Sequence, residues 1–365
     1  FMPAELVSGV EYSFNRLHDV TVGYDHDILQ RVNIYSAYLQ NEWRDERVGF
    51  LVGARIDKHS LIKNPIVSPR VNVRFNPSAN FNFRASYSTG FRSPQAYDED
   101  FHVAIVAGER VVTVLAPGLK QESSQSVSLL ADMYQRFGNV QTNFLVEGFF
   151  TDLRDVFALR QLEGTDALGN AVLERYNGSG ARVLGLNLEA KAFFSSHFDM
   201  QAGLTLQRSR YKKPEVWSDN PDVAPEKRMF RTPDLYGYIT ANWEIIHHLK
   251  AMLSGTLTGP MTVQHLAGSG TPVDIAVRTP TYFDASLRLT YTFRLIDRIS
   301  LDVTAGVENI FNSYQCDFDT GSNRDSGAPA LPHRWGIRIH LIRYFKSMLE
   351  FNTGNMSLCV DSSIL

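Results

Sequence analysis

The sequence lacks the long apolar runs with which helices cross membranes. No stretch of the 365 residues approaches the roughly 18 uninterrupted apolar residues that such a helix needs. A bundle of transmembrane helices is therefore excluded. A membrane barrel built from strands is not excluded, because alternating strands hide their lipid-facing residues among polar ones.

Cysteine, net charge and catalytic motifs are scarce as well. Two cysteines are too few for a disulfide scaffold, and they form no CxxC pair of the kind that binds zinc. The 36 Lys and Arg residues nearly balance the 39 Asp and Glu residues, whereas nucleic-acid-binding proteins carry a basic excess. No HExxH sequence or nucleophile elbow occurs, and the adjacent His247 and His248 are expected to point in opposite directions. We therefore expect no enzyme, no metal site, no cofactor and no nucleic-acid partner.

Aromatic residues and alternating patterns are abundant instead. In residues 283–294 the apolar side chains occupy every second position, at Phe283, Ala285, Leu287, Leu289, Tyr291 and Phe293. A period of two held over about twelve residues predicts a β-strand, because a helix repeats every 3.6 residues. The same pattern recurs along the chain and predicts about 14 strands. They begin near residues 4, 32, 47, 67, 81, 124, 140, 176, 198, 234, 249, 282, 300 and 334.

The connections between these strands alternate in length. Short turns are expected near residues 45, 77, 138, 195, 247 and 296, and long polar segments over residues 93–122, 155–175, 211–233, 260–280 and 313–333. One rim of the sheet would then carry turns and the other loops, as in outer-membrane barrels with periplasmic turns and extracellular loops. We therefore predict an all-β, antiparallel transmembrane β-barrel, with a soluble sandwich or an adhesin-like β protein as the alternative. Residues 333–345 have the pattern of a last strand, which assigns the turns to the periplasmic side.

Four segments match the strand motifs of a known family, in the order in which that family has them. They are residues 36–44 (SAYLQNEWR), 76–94 (NPSANFNFRASYSTGFRSP), 176–190 (YNGSGARVLGLNLEA) and 301–314 (LDVTAGVENIFNSY). These segments resemble motifs of the TonB-dependent outer-membrane receptors, although Asn187 and Glu189 shift the acidic position of the third segment. The resemblance extends over about residues 36–345.

The resemblance implies a barrel of about 22 strands that is occluded by an N-terminal plug. With about 14 strands, this chain would correspond to the C-terminal part of such a barrel. The plug, the TonB-contacting segment and the early strands have no counterpart in it. We expect residues 1–345 to be the C-terminal portion of the receptor barrel, and residues 346–365 to be a tail outside the family pattern, either disordered or appended.

The resemblance also implies a function in the outer membrane of a Gram-negative bacterium. Receptors of this family take up scarce ligands with energy passed through TonB. A ferric siderophore is the expected ligand, with cobalamin, haem or a glycan as alternatives, and a non-transporting adhesive surface protein is the alternative from another class. The expected partners are outer-membrane lipid, the iron chelate, the TonB complex (through the missing N-terminal region) and a surface lipoprotein.

Ligand-binding side chains are expected in the long loops, because a barrel supplies rigid strands and its loops supply specificity. The candidates are Arg92, Tyr97, Tyr211, Trp217 and Arg228. Aromatic rings beside cations would suit an anionic, aromatic iron chelate. The alternative is an ordinary solvated loop with aromatic residues at the membrane interface.

Two further sets of polar residues are weaker candidates. The charged residues expected to face the lumen are Arg84, Glu147, Glu189, Lys191, Arg288, Glu308 and Arg338. They would serve either as contacts for ligand and plug or as ordinary polar lining. The oxygen side chains of Asp317, Asp319, Asn323 and Asp325 would suit calcium, but their order does not match an EF-hand loop.

Overall fold

All regular secondary structure that the computed structural model describes is β-strand. The structure describes residues 2–21, 26–94, 111–165, 169, 171–218, 220–265, 267–268, 271–296, 299–313, 336–345 and 357–359. Its strands are β1 (Ala4–Thr21), β2 (His26–Arg44), β3 (Val48–His59), β4 (Ile66–Ser78), β5 (Phe81–Arg92), β6 (Val111–Leu115), β7 (Glu122–Phe137), β8 (Val140–Arg154), β9 (Phe157–Thr165), β10 (Ala171–Asn177), β11 (Ala181–Ser195), β12 (Phe198–Glu215), β13 (Glu226–Arg228), β14 (Leu235–Ile246), β15 (Leu249–Thr258), β16 (Thr262–His265), β17 (Ile275–Arg278), β18 (Tyr282–Ile296), β19 (Ile299–Glu308), β20 (Gly336–Phe345) and β21 (Ser357–Cys359). Within these residues, no helix is long and apolar enough to cross a membrane.

One sheet contains most of the strands. Its order is β1-β2-β3-β4-β5-β7-β8-β11-β12-β14-β15-β18-β19-β20-β21, with β13 attached to β12. Each strand pairs antiparallel with the next strand of this order, which is the pattern of an up-and-down barrel wall. All the predicted strands are present, so the predicted all-β antiparallel fold is confirmed.

Two strand boundaries differ from the prediction. β2 begins at His26 rather than near residue 32, since the adjacent apolar residues Ile28 and Leu29 break the alternation in a segment that pairs with β1. The strand predicted from residue 176 is in fact two strands, because β10 ends at Asn177 and β11 begins at Ala181. The break between them requires glycine at position 180, where φ is +79° and a Cβ would collide with the carbonyl oxygen of Leu153.

Within the described residues the connections are sorted between the two rims of the sheet, as predicted, whereas residues 297–298 of the predicted turn near 296 and residues 314–333 of the last predicted loop lie outside them. Hairpin turns over residues 45–47, 79–80, 138–139, 196–197 and 247–248 lie on one rim, which we call the turn rim. The opposite rim, the loop rim, carries connections over residues 93–121, 155–180, 216–234 and 259–281. Two loop-rim connections are short, namely the four residues between β1 and β2 and residues 60–65. The small strands β6, β9, β10, β13, β16 and β17 fold inside the long connections.

The two faces of the main sheet differ in chemistry. Cross-strand register places Val127, Phe150 and Leu184 in one row, and each is more than 40% exposed. This apolar surface, the outward face, continues across the sheet and is suited to lipid. The opposite face, the lumen face, is polar, and on it the Arg55 Nε donates to Asp57 at 2.8 Å.

The sheet does not close on itself within the described residues. There, β1 pairs only with β2, and the far edge consists of β20 and the three-residue strand β21. The structure is therefore a barrel wall with two edges.

Candidate ligand-binding site at the loop rim

A small three-stranded sheet lies at the loop rim. β10 pairs in parallel with β6 and antiparallel with β9. β6 belongs to the connection between β5 and β7, whereas β9 and β10 belong to the connection between β8 and β11. The small sheet therefore joins two long connections through their backbones.

Asn177, at the end of β10, ties the same two connections together. Its Nδ2 donates to the carbonyl oxygen of Asp155 at 2.8 Å and to that of Lys120 at 3.0 Å. Its Oδ1 accepts the backbone N–H of Lys120 at 2.8 Å. One side chain thus satisfies three backbone groups that no strand pairs, which fixes the loops beside it.

Arg92 lies in the first part of the candidate site, at the end of β5. Its Nη1 is 3.6 Å from Oε2 of Glu122, and its guanidinium carbon is 5.4 Å from the centre of the Phe157 ring. The guanidinium carbon of Arg175 is 5.8 Å from the centre of the same ring, and Arg175 is only 2% exposed. The backbone N–H of Phe157 also donates to Glu122. Two cations therefore meet one aromatic ring, whose face attracts positive charge.

Tyr211 lies in the second part of the candidate site, beside Glu215. The hydroxyl of Tyr176 donates to Oε1 of Glu215 at 2.9 Å. Burial and this carboxylate raise the pKa of Tyr176 to about 12, so the phenol stays protonated at neutral pH. The guanidinium carbon of Arg160 is 4.9 Å from the centre of the Tyr176 ring, and its Nε donates to Glu174 at 2.7 Å.

Trp217 and Arg228 belong to the connection between β12 and β14, where β13 pairs Glu226 with Glu215 of the Tyr176 network. The Trp217 Nε1 donates to the carbonyl oxygen of Ala224 at 3.2 Å. Its ring meets that of Phe230 edge-on, with 5.4 Å between the centroids. Strand pairing places Arg228 opposite Arg210 of β12.

Four of the five predicted ligand-binding residues lie at the loop rim, in or beside neighbouring connections. Arg92 and Tyr211 enter one network, which runs through the small sheet. Trp217 and Arg228 lie next to this network, in the connection that β13 pairs with β12, and Tyr97 lies outside the described residues.

The sequence interpretation missed the residues that connect this network. Phe157 is not predicted because residues 155–175 have the composition of a polar loop, and Tyr176 is predicted only as the first residue of a strand. The short apolar runs at 157–159 and 171–173, on either side of Gly164 and Gly169, are the signal that could have predicted a hairpin there.

The lumen face carries the predicted polar lining. The Arg84 Nε donates to the Asn82 side chain at 2.8 Å, and Glu147 accepts from Asn187 at 3.0 Å. The first contact joins two residues of one strand, and the second joins directly opposite residues of neighbouring strands. Contacts of this kind stabilise a polar lining.

Metal ligands are not clustered in the part of the chain that the structure describes. No group of three or more His, Cys, Asp or Glu side chains there could hold a metal ion. The candidate calcium ligands Asp317, Asp319, Asn323 and Asp325 lie outside the described residues. The expectation that His247 and His248 point in opposite directions is wrong, because His248 has a φ of +74° and the ring centroids are 3.8 Å apart.

A single antiparallel sheet with an apolar outward face, a polar lumen face and loops on one rim defines the wall of an outer-membrane β-barrel. The family described as TonB dependent receptor-like, beta-barrel matches residues 5–310, and the chain belongs to this family. Barrels of this family lie in the outer membrane of Gram-negative bacteria, which places the chain there. No curated protein matches the sequence.

Solved structures of siderophore receptors share this fold. The siderophore receptor PirA from Acinetobacter baumannii is 18% identical, with a TM-score of 0.64 over 94% of this chain and 52% of that one. The ferric enterobactin receptor PfeA from Pseudomonas aeruginosa is 17% identical, with a TM-score of 0.60 over 85% of this chain and 46% of that one. The FrpB iron transporter from Neisseria meningitidis is 17% identical, with a TM-score of 0.60 over 87% and 46%. The chain spans about half the length of these proteins.

Proposed function

We propose that the chain is part of a receptor that takes a ferric siderophore across the outer membrane with energy supplied through TonB. The observation that carries the proposal is the pair of guanidinium groups, Arg92 and Arg175, on the Phe157 ring at the loop rim. An aromatic, anionic iron chelate would find complementary rings and cations there. Family membership and the siderophore and iron receptors of the same fold support this ligand class.

Arg92 is the residue of this pair that is able to reach a ligand. Its side chain is 32% exposed, and its contact with Glu122 is long at 3.6 Å. Arg92 would therefore be the guanidinium that contacts an arriving anion, while Arg175 stays buried against the ring.

The proposal assigns residues 1–345 to the C-terminal portion of the receptor barrel. The TonB complex would supply energy through an N-terminal region of the receptor, and a surface lipoprotein is a further partner that the family suggests. Outer-membrane lipid would contact the outward face.

Ligand binding by the complete receptor tests the proposal. Purified receptor is titrated with a ferric tris-catecholate, a ferric hydroxamate, haem and cyanocobalamin, and intrinsic fluorescence is followed. We expect a ferric chelate to bind and Arg92→Gln to weaken it roughly tenfold, because one charged contact is lost. Arg136→Gln, which removes the same charge at the turn rim, is the control.

Three results would contradict the proposal. Tighter binding of haem or cyanocobalamin would identify another ligand class, and binding of none of the four probes would favour the adhesive alternative. Iron accumulation that is equal in cells with and without TonB would exclude the proposed energy source.

A further inference from the structure

The outward face changes from apolar to cationic near the loop rim, on the three neighbouring strands β8, β11 and β12. Phe150, Leu184 and Leu206 are the last apolar residues of the outward face on these strands. The outward positions beyond them, which we call the outward cationic patch, are Asp152, Arg154, Arg182, Arg208, Arg210 and Lys212. One carboxylate therefore stands among five cations, on the side of the wall that faces away from the lumen.

Contacts within the outward cationic patch confirm that four of its six members share one face. Asp152 accepts from Arg182 Nε at 3.1 Å, from Lys212 Nζ at 3.0 Å and from Arg154 Nε at 3.2 Å. The Arg154 and Arg182 side chains nevertheless remain 55% and 62% exposed. Asp152 thus holds three cations close together, and the side chains of Arg154 and Arg182 remain accessible to a ligand.

Two arginines of the outward cationic patch extend it along β12. Arg210 is 3.5 Å from the carboxylate of Asp234, which is itself 4.0 Å from Arg278. Arg208 is exposed, and among the described residues no hydrogen bond or ion pair joins it to a carboxylate. Arg182 and Arg210 are directly opposite each other in the register, and each is paired with a carboxylate, Asp152 or Asp234.

An apolar groove of about 470 Å³ lies on the same face, between the outward cationic patch and the turn rim. Its lining includes Leu188, Ala190, Ala202, Leu204, Gly237 and Ile239. The small residues make the groove, because larger neighbours on both sides stand higher above the sheet. On β12, Leu204 is four residues from Arg208, about 13 Å along a strand.

We propose that the outward cationic patch and the groove together bind one phosphorylated lipid of the membrane leaflet at the loop rim. The guanidinium groups of Arg182 and Arg208 would hold the headgroup phosphate through paired hydrogen bonds. An acyl chain would extend along the outward face into the groove. These cations lie on the outward face, so a ligand in the lumen would not contact them. A free anion has no apolar part that could fill the groove. The proposed site is therefore distinct from the network of Arg92, Phe157 and Tyr211, whereas Arg228 lies opposite Arg210 of the outward cationic patch.

Lipid binding by the complete receptor tests this inference. The receptor in detergent is titrated with lipid A carrying two phosphates, with phosphatidylcholine and with inorganic phosphate, and bound lipid is counted by native mass spectrometry. We expect lipid A to bind more tightly than phosphatidylcholine, and millimolar phosphate to leave it bound. Displacement of the lipid by inorganic phosphate would overturn the proposal in favour of a simple anion site.

Charge variants on the two faces distinguish lipid binding by the outward cationic patch from a general effect of the receptor's net charge. R182Q/R208Q should weaken lipid A binding roughly tenfold for each lost cation, and R182K/R208K should restore part of the affinity. The control K250Q/R288Q removes the same charge from the lumen face and should leave lipid A binding unchanged. Equal affinity of R182Q/R208Q and the unchanged receptor would overturn the proposal.

Ala202→Trp tests the groove while leaving every cation in place. Filling the groove should weaken lipid A binding severalfold without changing its dependence on Arg182 and Arg208. Unchanged binding in A202W would overturn the assignment of the groove to an acyl chain. Heat-dependent electrophoretic migration of each variant checks that the barrel has folded.

Discussion

At the scale of single residues, the face of the wall to which a side chain points decides the effect of changing it. Leu287 of β18 is on the outward face, opposite Leu253 and Val307. Thr290 is on the lumen face, where its hydroxyl is 3.0 Å from that of Thr304. The two positions are only three residues apart, but one meets lipid and the other meets polar groups.

Arginine substitutions at these two positions should therefore differ in stability. Leu287→Arg should lower the free energy of unfolding by roughly 2–4 kcal/mol, because it places a charge in the hydrocarbon, and Thr290→Arg should cost less than about 1 kcal/mol. Reversible unfolding of the receptor from lipid vesicles measures both. If the two variants lose the same stability, the assignment of the faces is wrong.

Asp152 predicts a pH dependence at the loop rim, beyond the apolar band. Burial raises its pKa, but hydrogen bonds from Lys212, Arg182 and Arg154 outweigh burial and lower the pKa from 3.8 to about 2. A lowered pKa means that the carboxylate stabilises the folded state fully above pH 3.8, and that this stabilisation is lost as the pH falls through about 2. Asp152→Asn should therefore lower the melting temperature at pH 7 but not below pH 2. A difference between the two proteins that does not vary with pH would contradict this assignment.

At the scale of elements, the small sheet and Asn177 hold two long connections as one unit. β6 and β10 are far apart in sequence, so their parallel pairing depends on the wall strands that bring the connections together. Three hydrogen bonds from Asn177 then close the unit beside the wall.

Asn177→Ala should loosen this unit and leave the wall intact. The variant leaves backbone groups of Lys120 and Asp155 without partners, at a cost of about 1–3 kcal/mol. We expect faster hydrogen exchange at residues 115–121 and 155–157, with no change in β7 or β8. The control Asn242→Ala removes a single exposed hydrogen bond to Asp199 near the turn rim and should leave those amides unchanged. Unaltered exchange in Asn177→Ala would show that the small sheet holds the connections without it.

The elements differ in how far the sequence predicts them. Wall strands such as β18 follow from local alternation, because each residue meets either lipid or lumen. β6, β9 and β10 could not be predicted in this way, since their pairing joins segments from separate connections. The same reason explains the site: Arg92 and Tyr211 were predicted from residue type, but Phe157 and Tyr176 follow only from the tertiary pairing.

At the scale of the whole molecule, the sorting of connections predicts the orientation in the membrane. Residues 95–120, 212–230 and 313–332 should be extracellular, because outer-membrane barrels carry their long loops outside. Protease treatment of intact cells that carry the complete receptor should cut in these segments. Cleavage restricted to residues 77–80 or 246–249 would reverse the orientation, and would move the proposed lipid site to the periplasmic leaflet.

The hairpins of the turn rim also constrain how such a receptor can evolve. Each hairpin sets the register of its own two strands. A change in the length of a loop-rim connection therefore leaves every wall residue on its own face, outward or lumen. A loop-rim connection can therefore be replaced in one recombination event while the lipid contacts are preserved. The connections over residues 216–234 and 259–281 are one exception, because the Ser218 hydroxyl donates to Asp274. The connections over residues 93–121 and 155–180 are another, because β6–β10 pairing and Asn177 join them. These two segments should be inherited together, and a chimaera that exchanges only one of them should lose the site.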